Sequence, residues 1–212
     1  MTATLTASMT MREFFEEVLK LPYRPNSQSN PKHENQVADT LRKHGFAIIS
    51  KKEFKQNYSS DYSLLPDMTA VREPNGSQQP PDFVFKINGK CYELECKSGG
   101  QRVAKPMYNA TNPIEEAFYI FTSKKYNETT VYRGVDVFPP ELAKIFDDHR
   151  NKVQKLYDET NKLAAKHPMN IRGFKAQYRW MIDQGGGAAK IDYFAHFDRS
   201  RCESKVLNYN FG

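Results

Sequence analysis

Three side chains in one short stretch have the types and spacing for phosphoryl chemistry: Asp82, Glu95 and Lys97, within PPDFVFKINGKCYELECKSGG at residues 80–100. Asn88-Gly89 lies between two runs of apolar, aromatic and β-branched residues, and Asn-Gly is the strongest local signal for a two-residue type I′ hairpin turn. With that pair as the loop, Ile87 stands opposite Lys90, Phe85 opposite Tyr92, Phe83 opposite Leu94, and Asp82 opposite Glu95. Alternation along the strands puts Phe83, Phe85, Ile87, Tyr92 and Leu94 on one face and Asp82, Glu93, Glu95 and Lys97 on the other. Directly opposed residues have Cβ atoms about 5 Å apart, so two carboxylates placed there repel each other unless a cation lies between them. A hard divalent ion such as Mg²⁺ takes few carboxylate oxygens and keeps several waters, which leaves room for a phosphate oxygen and a nucleophilic water. Lys97, on the same face, could orient or deprotonate that water or stabilise charge on the phosphate. The chemistry implied is phosphodiester hydrolysis. The competing reading of these residues is the solvated outer face of an ordinary antiparallel hairpin, and Glu93, opposite Val84, fits that reading best.

Pro81-Asp82, twelve intervening residues, then Glu95-Cys96-Lys97 resembles the signature of the PD-(D/E)xK nuclease superfamily. The hairpin followed by Ser98-Gly99-Gly100-Gln101 and a later FYIF run is similar to type II restriction endonucleases. The resemblance implies an α/β fold with a restriction-endonuclease-like mixed central β-sheet flanked by helices. It implies Asp82 and Glu95 as carboxylates for Mg²⁺, the backbone carbonyl of Cys96 as a further ligand, and Lys97 as the motif lysine. Nucleases of this kind often carry a glutamate on the helix before the first sheet strand, and HENQVADTLRKHGFAII looks like that element, with Glu34 in the matching place. A second Pro-Asp, Pro66-Asp67, has no turn to bring it opposite Glu95 and ranks below Asp82.

At 212 residues the chain has the length for one substantial core, so a single domain over 1–212 is expected. Its nuclease core would span about 30–137, and a C-terminal helix with a DNA-binding elaboration about 139–212. A formal charge of +6 and a pI near 9.1 favour a polyanionic partner over an acidic small substrate. Three cysteines make no disulfide framework or paired zinc motif. No apolar run approaches the roughly 20 residues needed to cross a bilayer. A soluble, cytoplasmic protein is expected.

Helical spacing begins at a capping box, Thr10-Met11-Arg12-Glu13, runs through Phe14, Phe15, Val18 and Leu19, and ends before Pro22. A second helix starts near Asn30-Pro31 and stops at Gly45, with Glu34, Val37 and Leu41 on one stripe. His33, beside Glu34, reads as a surface histidine. Phe46–Ser50 reads as the first strand of the sheet, and the pattern weakens from Lys51 to Pro80. After the hairpin, Gly99, Gly100, Gln101, Arg102 and Lys105 would pass near a scissile phosphate, and Tyr108, Asn109 and Asn112 could contact bases or phosphates; a plain glycine turn and capped loop is the alternative. Residues 117–122 and 129–137 read as strands. From Pro139-Pro140 to His167 one long helix carries a seam of Leu142, Phe146, His149, Val153, Leu156, Thr160 and Leu163. That seam would pack along the sheet or pair with a second copy, with His149 at a core edge. Residues 169–182 interleave Arg172, Lys175 and Arg179 with aromatics before Gly185-Gly186-Gly187 and a strand at 190–197, which fits either a DNA-binding surface or an amphipathic helix and edge strand.

Taken together the residues lead to a Mg²⁺-dependent type II site-specific endodeoxyribonuclease of a restriction-modification system, acting on double-stranded DNA. A homodimer is expected, because a palindromic duplex site matches a two-fold axis. The rivals are a structure-directed repair, recombination or viral nuclease, and a non-catalytic DNA-binding module.

Overall fold

The computed structural model describes residues 2–24, 26–27, 30–77, 79–101, 106, 108, 113–166 and 198–212. Helix α1 (Thr2–Val18) is followed by a two-residue antiparallel pair, β1 (Asn26–Ser27) with β2 (Asn30–Pro31), and by helix α2 (Lys32–Lys43). Then come β3 (Ala47–Ser50), α3 (Lys51–Tyr58), a 3₁₀ turn at Tyr62–Leu64, β4 (Thr69–Arg72), β5 (Phe83–Ile87), β6 (Lys90–Gly99), β7 (Phe118–Ser123) and β8 (Glu128–Arg133). Helices α4 (Gly134–Val137), α5 (Pro140–Ala164) and α6 (Arg199–Leu207) complete the described elements.

Six strands form one mixed sheet in the order β3-β4-β5-β6-β7-β8. β4, β5 and β6 run antiparallel, while β3 is parallel to β4 and β7 parallel to β6. The β5–β6 hairpin has the register expected from its turn: Ile87 pairs with Lys90, Phe85 with Tyr92 and Phe83 with Leu94. Asn88 and Gly89 both take positive φ, 50° and 73°, which is the type I′ geometry that Asn and Gly adopt at least cost. Asp67, the second Pro-Asp carboxylate, accepts the Gly89 N–H at 2.8 Å, so it braces this turn.

The apolar face of the hairpin is the main core. Phe83, Phe85, Ile87, Leu94 and the Cys96 thiol pack with Met11, Phe14, Phe15 and Val18 of α1, Val37 and Leu41 of α2, and Val206 and Phe211 near the C-terminus. Each such side chain, removed from water, contributes about 1.5–3 kcal/mol. The other face holds two apolar clusters: Phe54 of α3 with Leu65 and Val71, and Tyr108, Ala117, Tyr119, Phe121, Tyr132 and Cys202. Glu93, Glu95 and Lys97 lie on this second face, between the clusters. Helix α6 wraps the β8 edge, with Cys202 in one cluster and Val206 in the other.

Several expectations need correction. Helix α1 already runs from Thr2, so Thr10 sits inside it and does not open it. Residues 51–72, weakly patterned in sequence, contain α3 and β4. Helix α3 is opened by a full capping box between Ser50 and Glu53. The strand expected at 129–137 stops at Arg133, and 134–137 turn into α4. Helix α5 buries none of its residues. Its half-buried stripe is Ala143, Phe146, Asp147, Arg150, Val153, Tyr157, Asn161 and Ala164, while Leu142, His149, Leu156 and Leu163 are exposed. Among the described residues the seam is therefore not packed along the sheet, and His149 is not at a core edge. The helix and strand expected within 169–197 lie outside the described residues.

Candidate active site

β5 begins at Phe83, and beyond it the β5–β6 ladder changes from backbone to side-chain pairing. By the hairpin's alternation, Cys96 N–H is the next ladder donor and would face Pro81. It donates instead to Asp82 Oδ2 at 2.7 Å. Asp82 N–H in turn donates to Glu95 Oε2 at 3.1 Å. Asp82 and Glu95 are thus cross-linked through each other's strands, in the opposed places that the turn dictates. The ladder on the other side stays intact, with Glu73 N–H donating to the Asp82 carbonyl at 2.7 Å.

Lys97 completes the motif. Its Nζ donates to Glu95 Oε1 at 2.5 Å, with the Glu95 side chain 7% exposed and that of Lys97 21% exposed. A charge-assisted bond of this length between two poorly hydrated groups fixes both of them. Glu34 reaches the same end of the sheet from the first turn of α2, where Val37 and Leu41 anchor the helix in the core. It is half-buried and meets Arg72 Nη2 at 3.5 Å.

The electrostatics are those of a crowded acid site. Burial, then Glu95 and Glu34, push the Asp82 carboxyl from 3.8 up to about 8, against the opposing pull of the Cys96 N–H and Lys97. Burial also raises Glu34; Arg72 opposes this, and Glu73 and Glu95 add to it. Glu93 is raised by burial and by Glu95, and its Oε2 is buried with no hydrogen bond. It is therefore not the solvated residue that its place opposite Val84 suggests. Cys96 turns its thiol into the core, where burial pushes it well above its usual range, so only its backbone is available to the site.

Other expected residues separate from this cluster. Tyr108 is buried, and its hydroxyl is 2.8 Å from that of Tyr132, so it belongs to the core and not to a DNA-facing loop. His33 is fully buried and not a surface residue, and burial lowers its pKa to about 4. Gln101 is exposed just past the end of β6. Arg102, Lys105, Asn109, Asn112, Arg172, Lys175 and Arg179 lie outside the described residues. Sequence reasoning missed Arg72, Asn35 and Glu73. Only the strand pairing of β4 could have pointed to Arg72, because no local motif contains it.

Among the described residues, no group of three or more His, Cys, Asp or Glu side chains is placed to hold a metal ion. What is present is two cross-linked carboxylates, a third nearby, and an acid pushed toward neutrality first by burial and then by its acidic neighbours; a hard ion that needs few protein ligands would suit such a set. No helix among the described residues is long and apolar enough to cross a membrane. The chain matches no protein-family model, no curated protein and no solved structure in the three comparisons made.

Proposed function

We propose that this chain is a Mg²⁺-dependent endodeoxyribonuclease with a restriction-endonuclease-like fold and a PD-(D/E)xK site, cutting double-stranded DNA at specific sequences as a homodimer. The observation that carries this reading is the Asp82–Glu95 pair, cross-bonded at the open end of the hairpin with Lys97 held on Glu95 at 2.5 Å. Helices packed on a mixed sheet, with Glu95 on the central strand β6 and Asp82 immediately before its neighbour β5, support the fold part of the reading. A formal charge of +6 supports a polyanionic substrate.

Asp82 and Glu95 would hold the ion, with the Cys96 carbonyl as a further ligand. When bound, the ion supplies Lewis acidity and lowers the pKa of a coordinated water. Lys97, whose ammonium is held on Glu95, would orient an attacking water or balance charge on a phosphate oxygen. Glu34 stands behind Asp82 as a supporting acid. The products would carry 5′-phosphate and 3′-hydroxyl ends.

The test is incubation of the full chain with supercoiled plasmid in Mg²⁺, in EDTA, and with D82A in Mg²⁺. Site-limited fragments that vanish in EDTA and with D82A are expected, together with a dimer on sedimentation. Intact linear duplex with cleaved junctions or flaps would favour a structure-directed nuclease. A gel shift with no cleavage under any condition would remove the enzyme reading altogether.

A further inference from the structure

Arg72 lies outside the sequence motif, yet its guanidinium sits among the acids of the site. β4 pairs with β5 so that Arg72 stands opposite Phe83, the neighbour of Asp82. The guanidinium lies 6.0 Å from the centre of the Phe83 ring. Its Nη1 donates to Asn35 Oδ1 at 2.8 Å, a firm hydrogen bond, whereas Nη2 meets Glu34 Oε2 only at 3.5 Å. Nε makes no hydrogen bond and is 3.9 Å from Glu73 Oε1. Asn35 therefore anchors the arginine, and Glu34 is held loosely.

The charge count gives that arrangement a purpose. Glu34, Glu73, Asp82 and Glu95 face Arg72 and Lys97, and Glu93 adds a fifth acid beside Glu95; five negative charges against two positive leave three when every carboxyl is ionised. Lys97 neutralises Glu95. Arg72 is the only other cation bonded to these acids among the described residues.

We propose that Arg72 is a positioning residue for Glu34, supplying the positive charge that lets this carboxylate stand beside Asp82 before a divalent ion arrives. The loose contact leaves Glu34 able to turn toward the ion while Asn35 retains the guanidinium. This rests on the divalent-ion reading above. Arginine suits the task because its planar fork serves Asn35 and Glu34 from different nitrogens, which a lysine ammonium does less well.

The test compares wild type, R72Q, R72K, E34Q and R72Q/E34Q as full chains. Mg²⁺ binding is measured by calorimetry, and thermal unfolding is followed in EDTA and in saturating Mg²⁺. R72Q should unfold at lower temperature than wild type in EDTA, yet bind Mg²⁺ about 5- to 10-fold more tightly, because removing a cation leaves the site more negative. Saturating Mg²⁺ should then restore most of its lost Tm. R72K should bind Mg²⁺ like wild type, and in the E34Q background the effect of R72Q should shrink to about twofold or less. A loss of Tm in R72Q that is the same with and without Mg²⁺, or Mg²⁺ affinity that is unchanged or weaker, would reduce Arg72 to a structural tie between β4 and α2. Wild type that binds no Mg²⁺ would remove the divalent-ion reading and this inference together, whereas Mg²⁺ binding in wild type with no R72Q contrast removes the inference alone.

Discussion

Replacing Asp82 by Asn should stabilise the metal-free protein at neutral pH. Burial and the adjacent Glu95 and Glu34 push the Asp82 carboxyl from 3.8 up to about 8. Between those two values the folded chain holds a proton that the unfolded chain has released. Wild-type stability therefore falls as pH rises through that window and levels off above it. One proton bounds the slope at about 1.4 kcal/mol per pH unit. From 3.8 to pH 7 is roughly three pH units, which sets a ceiling of about 4 kcal/mol. Water entering the site and small side-chain shifts relieve part of the penalty, so D82N should gain about 2 kcal/mol at pH 7. The substitution suits the test because an amide oxygen still accepts the Cys96 N–H.

Urea unfolding in EDTA at about pH 4, 7 and 8.5 reads the difference directly. D82N and wild type should coincide at the acid end and separate as pH rises, with D82N the more stable. Mg²⁺ should reverse the order at neutral pH, since an ion at 100 times its Kd adds about 2.7 kcal/mol to the protein that binds it. A D82N protein less stable than wild type in EDTA at every pH, or a difference that does not change with pH, would show that burial and the acidic neighbours do not raise the Asp82 carboxyl. The argument for a missing cation would then lose its electrostatic support.

Two further substitutions separate core from site. F211A should destabilise the fold by about 3–5 kcal/mol in chemical denaturation, because Phe211 is buried and its ring lies 5.1 Å from that of Tyr92, 5.3 Å from Phe118 and 4.9 Å from Tyr209. Y108F removes one buried hydrogen bond to Tyr132 and should lower stability by about 1 kcal/mol while leaving DNA affinity unchanged. A drop in DNA binding larger than the loss of stability explains would return Tyr108 to the interface.

The acids of the site were legible and its second cation was not, for one physical reason. A two-residue turn fixes every pairing along its hairpin, so Asp82 opposite Glu95 follows from Asn88-Gly89 without knowledge of any other strand. Arg72 has no such local rule. TAVR is four residues long, too short to show a period, and is a strand because β3 and β5 pair with it on both sides. Where a local rule did exist it could be missed: Ser50-Lys51-Lys52-Glu53 is a capping box that announces α3, and His33, Val37 and Leu41 follow the i, i+4, i+8 spacing of a buried stripe. Helix α5 marks the opposite limit. Its period sets a seam in the sequence, but period alone does not say which neighbour covers a stripe, and the half-buried positions fall on a line rotated from Leu142, Leu156 and Leu163. The placement of acids on one hairpin can thus be read from sequence, whereas the charges that make it tolerable arrive from strands whose place only the folded sheet decides. That division is why D82N probes what the sequence could establish and R72Q probes what it could not.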